Sequence, residues 1–278
     1  MISETGFLLE NGVELPFLGF GTYQIKEKGE EIITRALEAG YRHLDTARAY
    51  GNEQEIGRAI RQSALPRREL FLTSKVWKDD LGYDSTLRSF EASIKDLDVN
   101  YLDLFLIHWP LPHPKADWKR PDAETWKALE RLYDEGAVRA IGVSNFLPHH
   151  LLNLFAHADT KPMVNQLEYH PGYIQQTTVA FCQSHGLQVE AWSPLGRRRI
   201  LQEPLLLELG EKYGKSTAQI CLRFALQNNV LPLPKASSSA RMKENMDIFD
   251  FELSMEEMYR LMTMPETGWS GYHPDSFA

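Results

Sequence analysis

The sequence predicts an α/β protein, a single (β/α)8 TIM barrel over residues 1–278 with a β-hairpin at the amino terminus and two extra helices. Eight short apolar runs alternate along the chain with eight amphipathic segments, which is the count of one barrel. No linker rich in proline, glycine and serine interrupts this alternation, and the composition does not shift along the chain. We therefore expect one domain.

The predicted strands are short and apolar. The near-continuous run YLDLFLI at 101–107 is typical of a strand covered on both faces. Before the first barrel strand, residues 7–16 alternate around Asn11-Gly12, a dipeptide that suits a type I′ turn, so we expect a hairpin that acts as a lid. The predicted barrel strands are 17–21, 43–45, 71–76, 101–107, 140–144, 163–167, 188–191 and 230–234.

The predicted helices have recognisable ends. Pro148 suits a first helical turn, and Gly136 and Gly186 stand where helices are expected to stop. A Ser254/Glu257 capping box opens the second of the two extra helices. The predicted barrel helices are 30–39, 52–63, 83–96, 123–135, 148–156, 175–185, 217–228 and 241–250, and the extra helices are 203–213 and 254–263.

The composition argues for a soluble cytoplasmic protein. A formal net charge of -8 argues against a nucleic-acid partner, and no uncharged apolar run approaches the ~18 residues that would span a membrane. The amino terminus has an acid, Glu4, and no basic segment before an apolar core, so it does not resemble a secretory signal. Cys182 and Cys221 lack metal-ligand spacing and are expected to be reduced core thiols.

Several tempting motifs fail. Residues 19–24, GFGTYQ, lack the third glycine of a dinucleotide fingerprint, and 214–216, GKS, follows a helix where a phosphate-binding loop needs a strand. His149 and His150 lack a further ligand at helical spacing, so no metal site is predicted. The run 197–199, RRR, fits a solvated loop or a cover over an anionic ligand, and the sequence leaves both open.

Four polar residues fall at the ends of early strands: Asp45, Tyr50 just beyond it, Lys75 and His108. Singly, Asp45 and Lys75 also fit a structural ion pair, and His108 a packed core histidine. In a barrel the carboxyl ends of all strands share one face, so the four side chains can converge. An ammonium stabilises a phenolate, a carboxylate holds the ammonium, and an imidazole orients a carbonyl oxygen. The set is therefore suited to polarising a carbonyl group and protonating it.

None of these groups can supply a hydride, so a reduced cofactor is implied. Ser144-Asn145, Gln166 and Trp192 end later strands, and the indole of Trp192 can stack on a flat heterocycle. A basic and hydroxyl cluster follows the eighth strand at the start of a helix, where a phosphate dianion fits. Its members are Lys235, Ser237, Ser238 and Arg241.

Three motifs occur in order: GYRHLDTARAYGNEQEIG at 40–57, RAIGVSNF at 139–146 and LPKASSSARMKEN at 233–245, with KVW and IHWP between the first two. On these motifs the chain resembles the aldo-keto reductase superfamily from Leu18 to about Asn245. Its overall pattern is most similar to the bacterial branch that includes diketogluconate and methylglyoxal reductases. The resemblance implies an NADPH-dependent enzyme that reduces aldehydes or ketones to alcohols and is expected to be a monomer.

The resemblance also implies roles for individual residues. Tyr50 would be the general acid, Lys75 and Asp45 would tune it, and His108 would orient the substrate carbonyl. The aromatic pocket wall would be formed by Tyr23, Trp77 and Trp109. The implied cofactor-binding residues are Gly21, Thr22, Asp45, Ser144, Asn145, Gln166, Trp192, Ser193, Leu195, Lys235, Ser237, Ser238, Arg241, Glu244 and Asn245.

Two departures from the family pattern bear on the cofactor. Trp192 stands where many members have tyrosine, and Ala236 stands where many have serine or threonine, so one phosphate contact is missing. NADPH remains the expected cofactor because Arg241 is present. The physiological substrate and the role of the short aromatic tail, with Trp269, Tyr272 and Phe277, are left open.

Two other functions compete with carbonyl reduction. A regulatory subunit on the same barrel would bind the nucleotide and sense redox state, although the complete set of four polar residues argues against it. A barrel hydrolase would use Asp45 and Glu168 as paired carboxylates, but this reading leaves Lys75 and the phosphate cluster without a task.

Overall fold

A computed structural model describes residues 6–110 and 118–276 of the chain. In it, eight parallel strands form one sheet in which each strand pairs with its neighbours in the sequence. Two backbone hydrogen bonds join its first and last strands, from Gly19 N to Pro232 O (3.1 Å) and from Gly21 N to Pro234 O (3.0 Å), and they bring the barrel to closure. The strands are β1 Gly6–Leu8, β2 Glu14–Pro16, β3 Phe20–Gly21, β4 His43–Asp45, β5 Phe71–Val76, β6 Leu102–Ile107, β7 Val138–Ser144, β8 Val164–Glu168, β9 Gln188–Trp192 and β10 Val230–Leu233.

Helices alternate with the barrel strands as the sequence predicts, and the two extra helices, α7 and α10, are present. The reciprocal Ser254/Glu257 capping box opens α10 as expected. Helix α4 begins four residues earlier than predicted, because a proline such as Pro121 is tolerated in a first helical turn. The helices are α1 Gly29–Ala39, α2 Glu53–Gln62, α3 Tyr83–Leu97, α4 Lys119–Asp134, α5 Pro148–Phe155, α6 Gln176–Ser184, α7 Pro204–Tyr213, α8 Thr217–Gln227, α9 Ser239–Met246 and α10 Met255–Met262.

The amino-terminal hairpin forms a separate antiparallel sheet of β1 and β2, but its turn is not the predicted type I′. Leu9 N donates to Val13 O and Gly12 N donates to Leu9 O, each over 2.9 Å, and of the turn residues only Gly12 has a positive φ, 81°. This is a three-residue loop with glycine in the left-handed position. Asn11 Nδ2 donates to Arg139 O (2.9 Å) near the start of β7, so the hairpin covers the amino-terminal end of the barrel.

The core lies inside the barrel and between the barrel and its helices. All six residues of β5 and all six of β6 are buried, as expected for strands covered on both faces. Cys182 and Cys221 are buried free thiols, which agrees with the sequence prediction. None of the described helices is long and apolar enough to cross a membrane.

Candidate active site

The four residues predicted from the strand ends converge. Asp45 ends β4, Lys75 is the penultimate residue of β5, and His108 directly follows β6. Lys75 Nζ donates to Asp45 Oδ1 (2.8 Å) and to Thr46 O (2.8 Å). The phenol oxygen of Tyr50 lies 3.5 Å from Lys75 Nζ and 3.5 Å from His108 Nε2.

A short 3-10 turn, Arg48–Tyr50, carries the phenol from the end of β4 into the site. The turn stops at Gly51, whose φ of 67° favours glycine. The side chain of Asn52 then ties the loop down: its Nδ2 donates to Thr22 O (2.9 Å) and its Oδ1 accepts from Thr46 Oγ1 (2.9 Å). The position of Tyr50 is therefore set by a rigid turn and a buried amide.

Burial and charge act in opposite directions on the phenol and the ammonium. Burial raises the pKa of Tyr50 to about 12, although the Lys75 ammonium works to lower it. For Lys75, burial alone would lower the pKa, but Asp45, Tyr50 and Glu190 together hold it above its ordinary value. At neutral pH the site thus contains a protonated phenol beside a charged ammonium.

His108 is held as a neutral imidazole. Burial, and then the charge of Lys75, keep the pKa of His108 well below its ordinary value. Its Nδ1 is buried without a hydrogen-bond partner among the described residues. Its Nε2 faces the phenol, so a neutral ring with the proton on Nε2 can donate to an oxygen placed between the two.

A cavity of about 660 Å³ opens above these groups at the carboxyl end of the barrel. Tyr50, His108 and Asp45 lie in its wall, and Lys75 lies beneath it, fully buried. The predicted pocket residues Tyr23, Trp77 and Trp109 all line it, as do the predicted cofactor residues Gly21, Asn145, Gln166, Trp192, Ser193, Leu195 and Lys235.

Two predicted cofactor residues lie beneath the cavity wall. Thr22 is fully buried and donates its hydroxyl to Asp45 O (2.9 Å). Ser144 donates to Gln166 O (2.8 Å) and accepts from Asn145 Nδ2 (3.0 Å). Both hydroxyl protons are thus donated to protein carbonyls, and these side chains can offer a ligand only an oxygen lone pair.

Asn145 has a left-handed backbone, φ 65°, which turns its amide back toward β6. Its Nδ2 donates to His108 O (3.0 Å), and its Oδ1 accepts from the Trp192 indole N–H (2.8 Å). One amide therefore positions both the loop that carries the imidazole and the indole of Trp192 in the cavity wall.

The predicted basic cluster lies at the start of α9. Ser238 is the N-cap, and its Oγ accepts from Arg241 N (3.4 Å). Lys235, Ser237 and Arg241 are exposed, and neither cation has a carboxylate within salt-bridge distance among the described residues. Farther along α9, Glu244 is half-buried and Asn245 is buried. An unpaired positive cluster at a helix N-terminus fits an anion.

Three residues near the site were missed or left open by the sequence. Glu190 is fully buried and accepts from Gln166 Nε2 over 2.7 Å. The available signal was a charged residue in the middle of a predicted strand. Arg197 lines the cavity, and its guanidinium lies over the rings of Trp192 (5.8 Å) and Tyr272 (5.0 Å). Tyr272 comes from the carboxyl-terminal tail.

The way the tail is anchored argues against the competing hydrolase, in which Glu168 would be a catalytic carboxylate. Glu168 accepts from Ser270 N (2.9 Å) and from Ser270 Oγ (2.6 Å), and it does not line the cavity. Both oxygens are used to hold the tail, which leaves no basis for pairing Glu168 with Asp45 in a hydrolase. Tyr272 and Trp269 lie within the described tail, whereas Phe277 lies outside the described residues.

His149 and His150 meet Asp275 of the tail, a partner that the sequence spacing did not suggest. Asp275 Oδ1 lies 2.9 Å from His149 Nε2 and 3.2 Å from His150 Nε2. Leu147 N donates to His150 Nδ1 (3.1 Å), so the ring proton of neutral His150 is on Nε2 and points at Asp275. A metal-bound histidine instead donates from its second nitrogen, so this cluster is a hydrogen-bonded anchor for the tail.

A phenol, an ammonium and an imidazole meet at the carboxyl end of an eight-stranded barrel, an arrangement typical of a (β/α)8-barrel enzyme and suited to carbonyl chemistry. Comparison with known proteins identifies the family of barrel enzymes to which the chain belongs. Residues 17–264 match the aldo/keto reductase family, and the chain belongs to that family. It is therefore an oxidoreductase of the kind that reduces carbonyl compounds.

Bacterial relatives support the branch expected from the sequence. The chain is 46% identical over 269 residues to glyoxal reductase of Bacillus subtilis, covering 96% of this chain and 95% of that protein. It is 45% identical over 275 residues to the uncharacterized oxidoreductase YtbE of the same organism, covering 97% and 96%. The crystal structure of the Bombyx mori aldo-keto reductase in complex with NADP superposes with a TM-score of 0.86 at 31% identity, covering 98% and 99%.

Proposed function

We propose that this chain, acting as one domain, is an NADPH-dependent reductase of aldehydes and ketones with Tyr50 as the general acid. One observation carries the proposal: the Tyr50 phenol lies 3.5 Å from both Lys75 Nζ and His108 Nε2, in the wall of a cavity of about 660 Å³. A carbonyl oxygen between the phenol and the imidazole would accept hydrogen bonds from both.

The proton moves from the Tyr50 hydroxyl to the carbonyl oxygen of the substrate. With a pKa of about 12 the phenol is fully protonated at neutral pH and ready to donate. The phenolate that remains is stabilised by the Lys75 ammonium, which Asp45 holds from behind at 2.8 Å. Neutral His108 donates from Nε2 to the same carbonyl oxygen and fixes its direction. NADPH, when bound, supplies the hydride to the carbonyl carbon.

Several features of the chain fit NADPH. Asn145, Gln166 and the indole of Trp192 line the cavity and can hold the nicotinamide, and Gly21, Ser193 and Leu195 line it as well. Thr22 and Ser144 lie beneath the cavity wall and can support these residues. Lys235, Ser237, Ser238 and Arg241 can hold the 2′-phosphate because the two cations have no carboxylate partner among the described residues. Glu244 and Asn245 follow on α9 for the adenine. The complex of the Bombyx mori relative with NADP supports this assignment.

The cavity favours small carbonyl compounds. Tyr23, Trp77, Trp109 and Tyr272 give it an aromatic wall, and Arg197 adds one positive charge between Trp192 and Tyr272. Glyoxal reduction by a relative at 46% identity supports small reactive aldehydes as a first substrate class to test. Such aromatic walls orient a substrate by shape, with few polar contacts.

The test is the Tyr50→Phe variant. It keeps the ring contacts with Tyr23 (5.0 Å) and His108 (5.5 Å) and removes only the hydroxyl. We expect turnover of methylglyoxal and 4-nitrobenzaldehyde to fall by roughly 100-fold or more, since a general acid contributes about 10²–10⁴-fold. NADPH oxidation followed at saturating cofactor measures turnover, and calorimetric titration should give an NADPH Kd close to that of the unmodified chain.

Tyr83→Phe is the matched control, because this phenol lies on the surface against Arg131. Its turnover should equal that of the unmodified chain. Full activity in Tyr50→Phe would overturn the proposed acid. Tight NADPH binding by the unmodified chain without turnover of any aldehyde or ketone would overturn the enzyme itself in favour of a redox-sensing regulatory subunit.

A further inference from the structure

Glu190 is a buried carboxylate in the barrel interior to which carbonyl reduction assigns no task. It lies at the centre of β9, fully buried, and is the direct register partner of Gln166 on β8. Side chains opposite each other on neighbouring strands share a face of the sheet, so the two meet inside the barrel. Gln166 also lines the cavity, which links the buried acid to the site.

The amide of Gln166 is held by two carboxylates. Its Nε2 donates one hydrogen to Asp45 Oδ2 (2.8 Å) and the other to Glu190 Oε2 (2.7 Å). Its carbonyl oxygen Oε1 makes no hydrogen bond with the described residues. A rotation of the amide by 180° would place Oε1 against two carboxylates, leaving Asp45 with Lys75 as its donor and Glu190 with none among the described residues, which is costly in a buried site.

We propose that Glu190 is a positioning residue whose carboxylate fixes the Gln166 amide with Oε1 toward the cavity, where it accepts an N–H from a primary carboxamide of the ligand. The inference rests on the proposed function, in which that carboxamide belongs to the nicotinamide of NADPH. Asp45 alone cannot impose this orientation as firmly, because it would engage only one of the two amide hydrogens.

Protonation of Glu190 should release the amide. A carboxylic acid needs an acceptor for its own proton, and Glu190 Oε1 has no hydrogen-bond partner among the described residues. If Gln166 turns, its Oε1 becomes an acceptor within reach of the acid and leaves the cavity wall. The ionised form of Glu190 therefore favours cofactor binding, and the protonated form opposes it.

The surroundings of Glu190 place this change near neutral pH. Burial, and then the charge of Asp45, raise the pKa of Glu190 to about 8, while Gln166 and Lys75 act to lower it. The charged groups acting on it are Asp45 from β4 and Lys75 from β5, and the adjacent β10 is apolar. Cofactor affinity should consequently rise as pH increases through about 8.

Binding of NADP⁺, measured by titration calorimetry between pH 6.5 and 9.5, tests the inference without relying on turnover. For the unmodified chain, Kd should fall by about 3- to 10-fold as the pH rises across this range, which is the change in affinity expected from one hydrogen bond. In Glu190→Gln two amides can pair in either orientation. The Kd of this variant at pH 9 should then be about 3- to 10-fold higher than that of the unmodified chain, and its pH dependence should disappear.

A ligand analogue separates orientation of Gln166 from general damage to the fold. The 3-acetylpyridine analogue of NADP⁺ has a methyl ketone in place of the carboxamide and lacks its N–H donors. The unmodified chain should bind NADP⁺ more tightly than the analogue, and Glu190→Gln should lose most of that preference. Gln166→Ala should lose it equally, and the double variant should show no further loss, because both substitutions remove one interaction.

Glu53→Gln is the matched control. Glu53 is a buried glutamate that bonds Ser74 (2.7 Å) and Ser93 (3.2 Å), and it does not line the cavity. Its NADP⁺ affinity, pH profile and preference over the analogue should match the unmodified chain. Unchanged values in Glu190→Gln would overturn the inference while leaving the reductase intact, whereas an unmodified chain that binds no NADP⁺ would overturn the proposed function.

Discussion

Lys75→Met should strongly destabilise the folded protein. The Lys75 ammonium is fully buried and donates to Asp45 Oδ1 and Thr46 O, each at 2.8 Å. Methionine fills most of the space but donates nothing, so Asp45 would keep a single donor, Gln166 Nε2 at 2.8 Å. Removing one member of a buried ion pair costs about 3–5 kcal/mol, because the remaining charge is left without compensation.

Urea denaturation followed by circular dichroism measures this loss as a change in midpoint at constant slope. The double variant Asp45→Asn with Lys75→Met is the control, since it removes both charges and should be more stable than Lys75→Met alone. A loss below about 1 kcal/mol in the single variant, or a double variant that is still less stable, would refute the reasoning that an uncompensated Asp45 charge causes the loss.

The pH dependence of this effect follows from the raised pKa of Lys75, whose ordinary value is 10.5. A group with a raised folded-state pKa contributes its full stabilisation below its unfolded pKa and loses it only as pH rises through the folded value. Below the titration of Glu190 near pH 8, the difference in stability between the unmodified chain and Lys75→Met should therefore be constant, and the titration of Lys75 itself should reduce the difference only in strongly alkaline solution.

Two further predictions concern the cofactor and the acid. Arg241→Ala should weaken NADPH binding by about 10- to 100-fold, the loss expected for one charge-assisted hydrogen bond, and should have little effect on NADH binding. Lys243 is an exposed neighbour on α9, and Lys243→Ala should leave the affinity for both nucleotides unchanged. Equal losses for NADPH and NADH in Arg241→Ala would contradict the proposal that Arg241 binds the 2′-phosphate. The kcat at saturating NADPH should not change between pH 6.5 and 9, because burial lowers the pKa of His108 and raises that of Tyr50 to about 12. An inflection in kcat near pH 7 that disappears in His108→Gln would contradict this prediction.

The alternation of elements was predictable because it depends on local patterns. Strand β4 was predicted as 43–45 and β5 as 71–76, and both are observed with these bounds. The turn of the amino-terminal hairpin is an exception, because a similar sequence can form more than one type of turn. Asn11-Gly12 suits a two-residue turn, but the pairing of Leu9 with Val13 leaves three residues in the loop and gives only Gly12 a positive φ.

The convergence of Asp45, Lys75 and His108 was also predictable, since parallel strands place their carboxyl ends on one face. The task of Glu190 was not, because nothing local says whether a glutamate at the centre of a strand faces the interior or solvent. Only the β8–β9 register, which sets Gln166 opposite Glu190, brings the acid into the site. The contact of Asp275 with His149 and His150 spans more than a hundred residues of sequence, so it too depends on the tertiary structure.

The sequence by itself thus determined the barrel, the family and the proposed acid–base groups, because periodicity and motif spacing are properties of neighbouring residues. The tertiary structure decided how those groups are tuned. Burial raises the pKa of Tyr50 and lowers that of His108, two carboxylates orient one amide, and the tail brings Tyr272 to the cavity wall. Each of these depends on distances between residues far apart in the chain, which only the closed barrel sets.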